Sequence, residues 1–179
     1  MRHKPYKGFE PKWVKTPAPA DSYRSIFRWG DPEFVKYPKE SLFKMMKEKF
    51  QMTDEDFKTY AGDIGMDSVK LDRPCQLQKA HLEAFRAIVG SENVTTEDYP
   101  RLAVAYGKTG YDAARLREKR IDSLPDVVLY PSETEEIEKI VAYCTEHSIP
   151  LYVYGGGSSV TRGVEIGTAS CRERVFRAV

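Results

Sequence analysis

The chain has 179 residues, 41% hydrophobic and 31% charged, and its 28 lysines and arginines against 27 aspartates and glutamates leave a formal net charge of +1. That balance offers no general attraction to nucleic acid or to an anionic membrane, and no stretch approaches the roughly 18 uninterrupted apolar residues of a membrane span. Cys75, Cys144 and Cys171 form no C-x-x-C pair, which supports neither a zinc knuckle nor a disulfide framework.

The basic start, Met1 to Lys7, runs into Gly8, Glu10, Pro11 and Lys12 without the apolar core of a secretory signal, so a cytoplasmic location is expected. Residues 1–40 carry Pro5, Pro11, Pro17, Pro19, Pro32 and Pro38 among eight aromatic residues. Prolines at that density exclude long helices and central strands, while the aromatics need a surface to pack on. The expectation is an extended arm lying across another part of the protein.

Residues 41–123 read as a helical region. Leu42, Phe43, Met45, Met46 and Phe50 mark one helix over Ser41 to Phe50, and Thr53-Asp-Glu-Asp56 caps a short one ending near Tyr60. Leu77, Leu82, Phe85, Ile88 and Val89 share a side of a third helix that Gly90 stops, with His81 as a packed residue. Thr95-Thr-Glu-Asp98 opens a fourth with Pro100 in its first turn, and Gly107 and Gly110 end it.

The pattern changes at Leu124. Val127-Val-Leu-Tyr130 is a short apolar run bounded by Pro131, which predicts a buried strand. Ser132-Glu-Thr-Glu135 has the form of a capping box, and Ile137, Ile140, Val141 and Cys144 follow at i, i+3, i+4 and i+7. Those four are expected to face a sheet, with Cys144 as a small buried residue. After Ile149-Pro150, Leu151-Tyr-Val-Tyr154 is a second β-prone run. Strand, amphipathic helix and strand within about 30 residues predict a parallel βαβ unit.

The second strand runs into Gly155-Gly156-Gly157-Ser158-Ser159. Contiguous glycines let backbone approach a ligand closely, and successive N–H groups with two hydroxyls suit a diphosphate. A plain turn is the alternative. The loop is not a P-loop, which needs G-x-x-x-x-G-K-[ST]. Nor is it the G-x-G-x-x-G fingerprint, which follows the first strand of a unit and opens a helix.

Pro125-Asp-Val-Val-Leu-Tyr-Pro131, the helix ending at Ile149-Pro150 and Tyr154-Gly-Gly-Gly-Ser-Ser159 together resemble the opening of the FAD-binding domain of the vanillyl-alcohol oxidase/p-cresol methylhydroxylase (PCMH) family. Within it the chain is most similar to the alkyldihydroxyacetonephosphate synthase branch and its FAD-linked oxidase relatives. Arg101, Tyr106-Gly107, Asp112, Arg115-Leu-Arg117 and, further upstream, Trp29-Gly30 add to the likeness. The resemblance implies an α+β (α/β) fold, a helical N-terminal region followed by the first βαβ unit of a PCMH-type FAD-binding domain, cut short. It implies that Val153, Tyr154, Gly155, Gly156, Gly157, Ser158 and Ser159 contact FAD, held non-covalently because the loop has no histidine. Ser158 stands where the family usually has threonine.

The expected whole is a flavoenzyme acting on a small molecule, either a hydroxy acid or alcohol oxidase or a transferase exchanging acyl for alkyl on acyl-dihydroxyacetone phosphate. A homodimer is compatible with it. The expected catalytic residues lie outside these 179, and His3, His81 and His147 match none of them. The non-enzymatic alternative is a small α/β module whose loop binds another phosphate or only turns. The flavin domain is expected over 124–165, where the resemblance stops. Residues 166–179 resemble translated sequencing-adapter DNA and are expected to be a non-native tail with few contacts; a basic helix over 171–179 is the competing reading.

Overall fold

The computed structural model describes residues 18–27, 40–58, 65–161 and 175–178. Most of residues 1–40, including Trp29-Gly30, and the greater part of 166–179 lie outside the described residues.

Helix α1 spans Glu40–Phe50 and α2 spans Asp54–Lys58. Thr53 and Asp56 cap α2 reciprocally: Thr53 Oγ1 accepts from Asp56 N, and Asp56 Oδ2 accepts from Thr53 N at 2.6 Å. The pair forms a small cluster around Phe43 and Phe57, with ring centroids 4.4 Å apart. Leu42, Met45 and Phe50 of the predicted apolar face are exposed.

Helix α3 is Lys79–Val89, closed by Gly90 at φ 87°, a left-handed value that glycine adopts freely. A two-residue strand, β1 (Val94–Thr95), follows before α4 (Asp98–Ala103). Helix α5 is Gly110–Arg117. Gly110, expected to end a helix, begins one. Thr109 is the reason: its Oγ1 accepts from Asp112 N at 3.0 Å while Asp112 Oδ2 accepts from Thr109, closing a capping box.

Strand β2 is Val127–Leu129, α6 is Thr134–Glu146 and β3 is Leu151–Tyr154. The cap of α6 sits one residue later than the sequence pattern places it. Glu136, not Glu135, turns back, its Oε2 accepting from Ser132 N at 2.7 Å and from Glu133 N at 3.3 Å. The Ser132 amide, chief among these donors, holds the Glu136 carboxyl below its usual range. Ile140 and Cys144 are buried against the sheet and Ile137 is half-buried, but Val141 is 47% exposed. One residue is 100° of helix, so with Ile140 pointing inward Val141 falls at the rim.

The sheet order is β1-β2-β4-β3, where β4 is Val175–Ala178. Strand β1 is antiparallel to β2; β2 and β3 both run parallel to β4, and so to each other. The parallel βαβ is therefore present, but its strands are not neighbours. Val127 and Leu151 both stand opposite Val175. At 175–178 this differs from the expectation of few contacts and shows a strand where the competing reading placed a helix. The slot between β2 and β3 offers unpaired backbone on both sides, and an extended segment fills it.

Alternation along β2 divides the interior in two. Val127 and Leu129 join Leu77, Phe85, Val89, Ile140, Cys144 and Ile149 on the α3–α6 side. Val128 joins Leu102, Val104, Ala105, Tyr106 and Leu116 on the other, where Tyr23 and Ile26 of the 18–27 segment also pack. Tyr23 is fixed by its hydroxyl, which donates to Lys70 O at 2.6 Å. A chain ending at Glu165 leaves β3 with no strand partner among the described elements, and is expected to melt at a clearly lower temperature than the 179-residue chain. An unchanged transition by circular dichroism would remove β4 from the fold.

Candidate functional site

Burial alternates along β3. Tyr152 and Tyr154 pack toward the α4–α5 side and Leu151 toward α6, whereas Val153 is 71% exposed. The chain then turns through Gly155 to Ser159. A Cβ on Gly155 or Gly156 would meet nothing within 4 Å, so these two glycines border open space. Gly157 differs: it is buried, at φ +61°, and a Cβ there would strike the Tyr154 hydroxyl. Only glycine closes the turn at that point.

The loop is tethered at both ends to the connection between α4 and α5. Tyr154 folds beneath Gly157 and donates its hydroxyl to Ala103 O at 3.3 Å; burial pushes that phenol above its usual range. At the far end Ser159 O accepts from Lys108 N at 2.7 Å. Between these ties, the backbone N–H groups of Gly156, Gly157, Ser158 and Ser159 donate to no other described residue, and neither do the two serine hydroxyls. Donors with no acceptor among the described residues, beside Gly155 and Gly156, are of the kind that suits an anionic group.

The upstream residues of the family likeness gather elsewhere. Arg101, 2% exposed, donates from Nε to Pro125 O at 2.8 Å and from a terminal nitrogen to Arg73 O at 2.9 Å. Arg115 pairs with Asp122 and stacks over the Tyr106 ring at 4.9 Å. The Tyr106 hydroxyl accepts from Asp122 N at 2.9 Å and Ser123 N at 3.2 Å. Together they hold the segment that enters β2. Of the quoted positions among the described residues, Gly107 lies against the loop: its Cβ would come within 2.7 Å of Ser159 O. Some 50 residues separate the two in sequence, and no local pattern signals the contact.

His81 Nδ1 lies 2.9 Å from the Tyr143 hydroxyl, a packed position between α3 and α6. Cys144 is buried and its thiol is pushed up to about 11, so it stays protonated at neutral pH.

Residues 125–170 match the model of an FAD-binding domain family. Over these residues the chain carries part of an FAD-binding domain. The match extends five residues past Glu165, where the resemblance was expected to stop. The chain is similar to alkyldihydroxyacetonephosphate synthase of Trypanosoma brucei brucei, 27% identical over 141 residues that cover 78% of this chain and 23% of that protein. It is also similar to glycolate oxidase subunit GlcD of Bacillus subtilis (strain 168), 30% identical over 81 residues, 45% of this chain and 15% of that one. A solved alkyldihydroxyacetonephosphate synthase superposes with a TM-score of 0.56 at 19% identity, over 62% of this chain and 20% of its own. The chain spans less than a quarter of the length of these relatives. FAD is the cofactor of this domain.

Replacing Tyr106 by Phe leaves two N–H groups, that of Asp122 part-buried and that of Ser123 buried, without their acceptor. The expected cost is about 1–3 kcal/mol of stability, read as a lowered urea midpoint with unchanged slope.

Proposed function

We propose that Gly155, Gly156, Gly157, Ser158 and Ser159, led in by Val153 and Tyr154, hold the diphosphate of a non-covalently bound FAD. The observation that carries this reading is the set of loop N–H groups and hydroxyls with no acceptor among the described residues, beside open space at Gly155 and Gly156. The glycines let the backbone come close, the amides and hydroxyls offset the diphosphate charge, and the absence of a loop histidine leaves no imidazole there to form a covalent link. When bound, the flavin supplies the two-electron chemistry, and the protein supplies binding and orientation.

The complete protein, on this proposal, is an FAD-dependent enzyme of the synthase-like branch, acting on a small molecule of the acyl-dihydroxyacetone phosphate, hydroxy acid or alcohol class. Likeness to the synthase across the helical N-terminal region as well as the flavin domain favours that branch over a plain oxidase. No catalytic residue is assigned within these 179. Exchange of acyl for alkyl on acyl-dihydroxyacetone phosphate in the presence of a fatty alcohol distinguishes the transferase. Bleaching of the flavin by a hydroxy acid or alcohol alone marks the oxidase.

Gly156→Asp adds a carboxylate where the loop faces the diphosphate. In the protein with its complete FAD-binding domain, this variant is expected to emerge colourless from desalting while the unsubstituted protein stays yellow. The 179-residue chain is expected to retain little flavin, because one loop alone does not offset the cost of immobilising so large a ligand. A Gly156→Asp protein that keeps its flavin would reduce the loop to a turn.

A further inference from the structure

We infer that the 103–108 connection between α4 and α5 is a positioning cradle that sets the shape of the glycine loop for its anion, acting through Gly107, Lys108 and Ala103 without touching the ligand. The inference rests on the reading of the loop as the diphosphate site. Two independent contacts carry it, one at each end. Tyr154 donates to Ala103 O, and its hydroxyl occupies the space that a Gly157 side chain would need. Lys108 N donates to Ser159 O, and Gly107 lies so close to the same carbonyl that a methyl group would sit 2.7 Å from it.

The cradle is itself held. Thr109 and Asp112 fix the chain where it enters α5, and Asp112 Oδ2 stands 3.5 Å from where the Gly107 Cβ would be. Gly107 therefore has backbone on one side and a capped, buried carboxylate on the other, so an added methyl has no room to turn away. The Lys108 side chain reaches back to Ile26 O, tying the connection to the 18–27 segment as well. Gly107 has no positive φ to explain it. The close approach to Ser159 is the reason for glycine there.

With Ser159 and Tyr154 fixed, the four amides between them are pre-oriented, and pre-orientation lowers the entropy lost on binding. Loosening either tie leaves every donor in place but aims the donors less well. The effect belongs to the diphosphate, not to the isoalloxazine ring.

The test uses the protein with its complete FAD-binding domain, titrated with FAD after removal of bound flavin. Gly107→Ala is expected to raise the FAD dissociation constant about ten-fold or more and to shift the phosphorus resonances of bound FAD, with the flavin absorbance bands unmoved. Gly110→Ala is the control, since a Cβ there meets nothing within 4 Å. Tyr154→Phe removes only the hydroxyl that donates to Ala103 O and fills the space beside Gly157, and carries the same test if Gly107→Ala does not fold. A dissociation constant within about two-fold of the parent and unmoved phosphorus lines in the folded variants would overturn the cradle. Gly156→Asp run alongside separates the failures: if it too keeps its flavin, the loop reading falls and the cradle with it. If it alone loses flavin, only the cradle falls.

Discussion

Val127, Val128 and Leu129 have no solvent exposure at all, and a strand only three residues long reaches that state only if both faces of the sheet are covered. Fully buried strands read as unbroken apolar runs, not as alternation. The α3–α6 pair covers one face with Phe85 and Ile140, and the 102–106 stretch with Tyr23 covers the other. The second layer fixes where the α4–α5 connection runs, and this puts Ala103 and Lys108 beside the end of β3. The anchors of the glycine loop are thus set by the same layer that buries β2.

Covering that face also buries charge. Arg101 and Arg115 are 2% and 4% exposed, and an isolated buried cation is costly unless its donors find acceptors. The Arg101 donors meet the carbonyls of Pro125 and Arg73, and Arg115 combines the Asp122 carboxylate with the face of Tyr106. These contacts converge on residues 122–125, so the arginines act as staples on the segment that delivers β2 to the core. Truncating Arg101 would remove the partner of two backbone carbonyls, and truncating Arg115 that of the Asp122 carboxylate.

What the sequence made legible was whatever depends on local periodicity. The helix and strand of the βαβ unit, the left-handed stop at Gly90 and the Thr53–Asp56 cap all rest on neighbours within a turn or two, and all are present. Apart from the one-residue shift of the α6 cap, the misses that follow share the opposite property. Strand β1 is two residues long and exists because β2 offers an edge to Val94 and Thr95; nothing local demands it. Gly107 and Gly110 read as a stop because two glycines in four residues break a helical pattern, yet one answers a carbonyl far away in sequence and the other merely follows the Thr109 cap. Val141 fits the i, i+4 stripe, but the helix turns Ile140 and Cys144 inward and leaves Val141 at the rim. Strand β4 occupies a slot that only the tertiary arrangement creates.

The glycine run was visible from the start, but its three members have different duties that composition alone does not separate. Gly157 is an internal requirement of the fold, since Tyr154 and a left-handed backbone admit nothing larger. Gly155 and Gly156 meet no neighbour within 4 Å in the described structure, and the proposed diphosphate gives a reason for the missing side chains. Side chains there would cost the protein nothing in packing, and in a turn they would reduce the entropy of the unfolded chain and so add stability. That this advantage is forgone at both positions, beside amides with no acceptor among the described residues, supports the proposed ligand-facing loop over a plain turn.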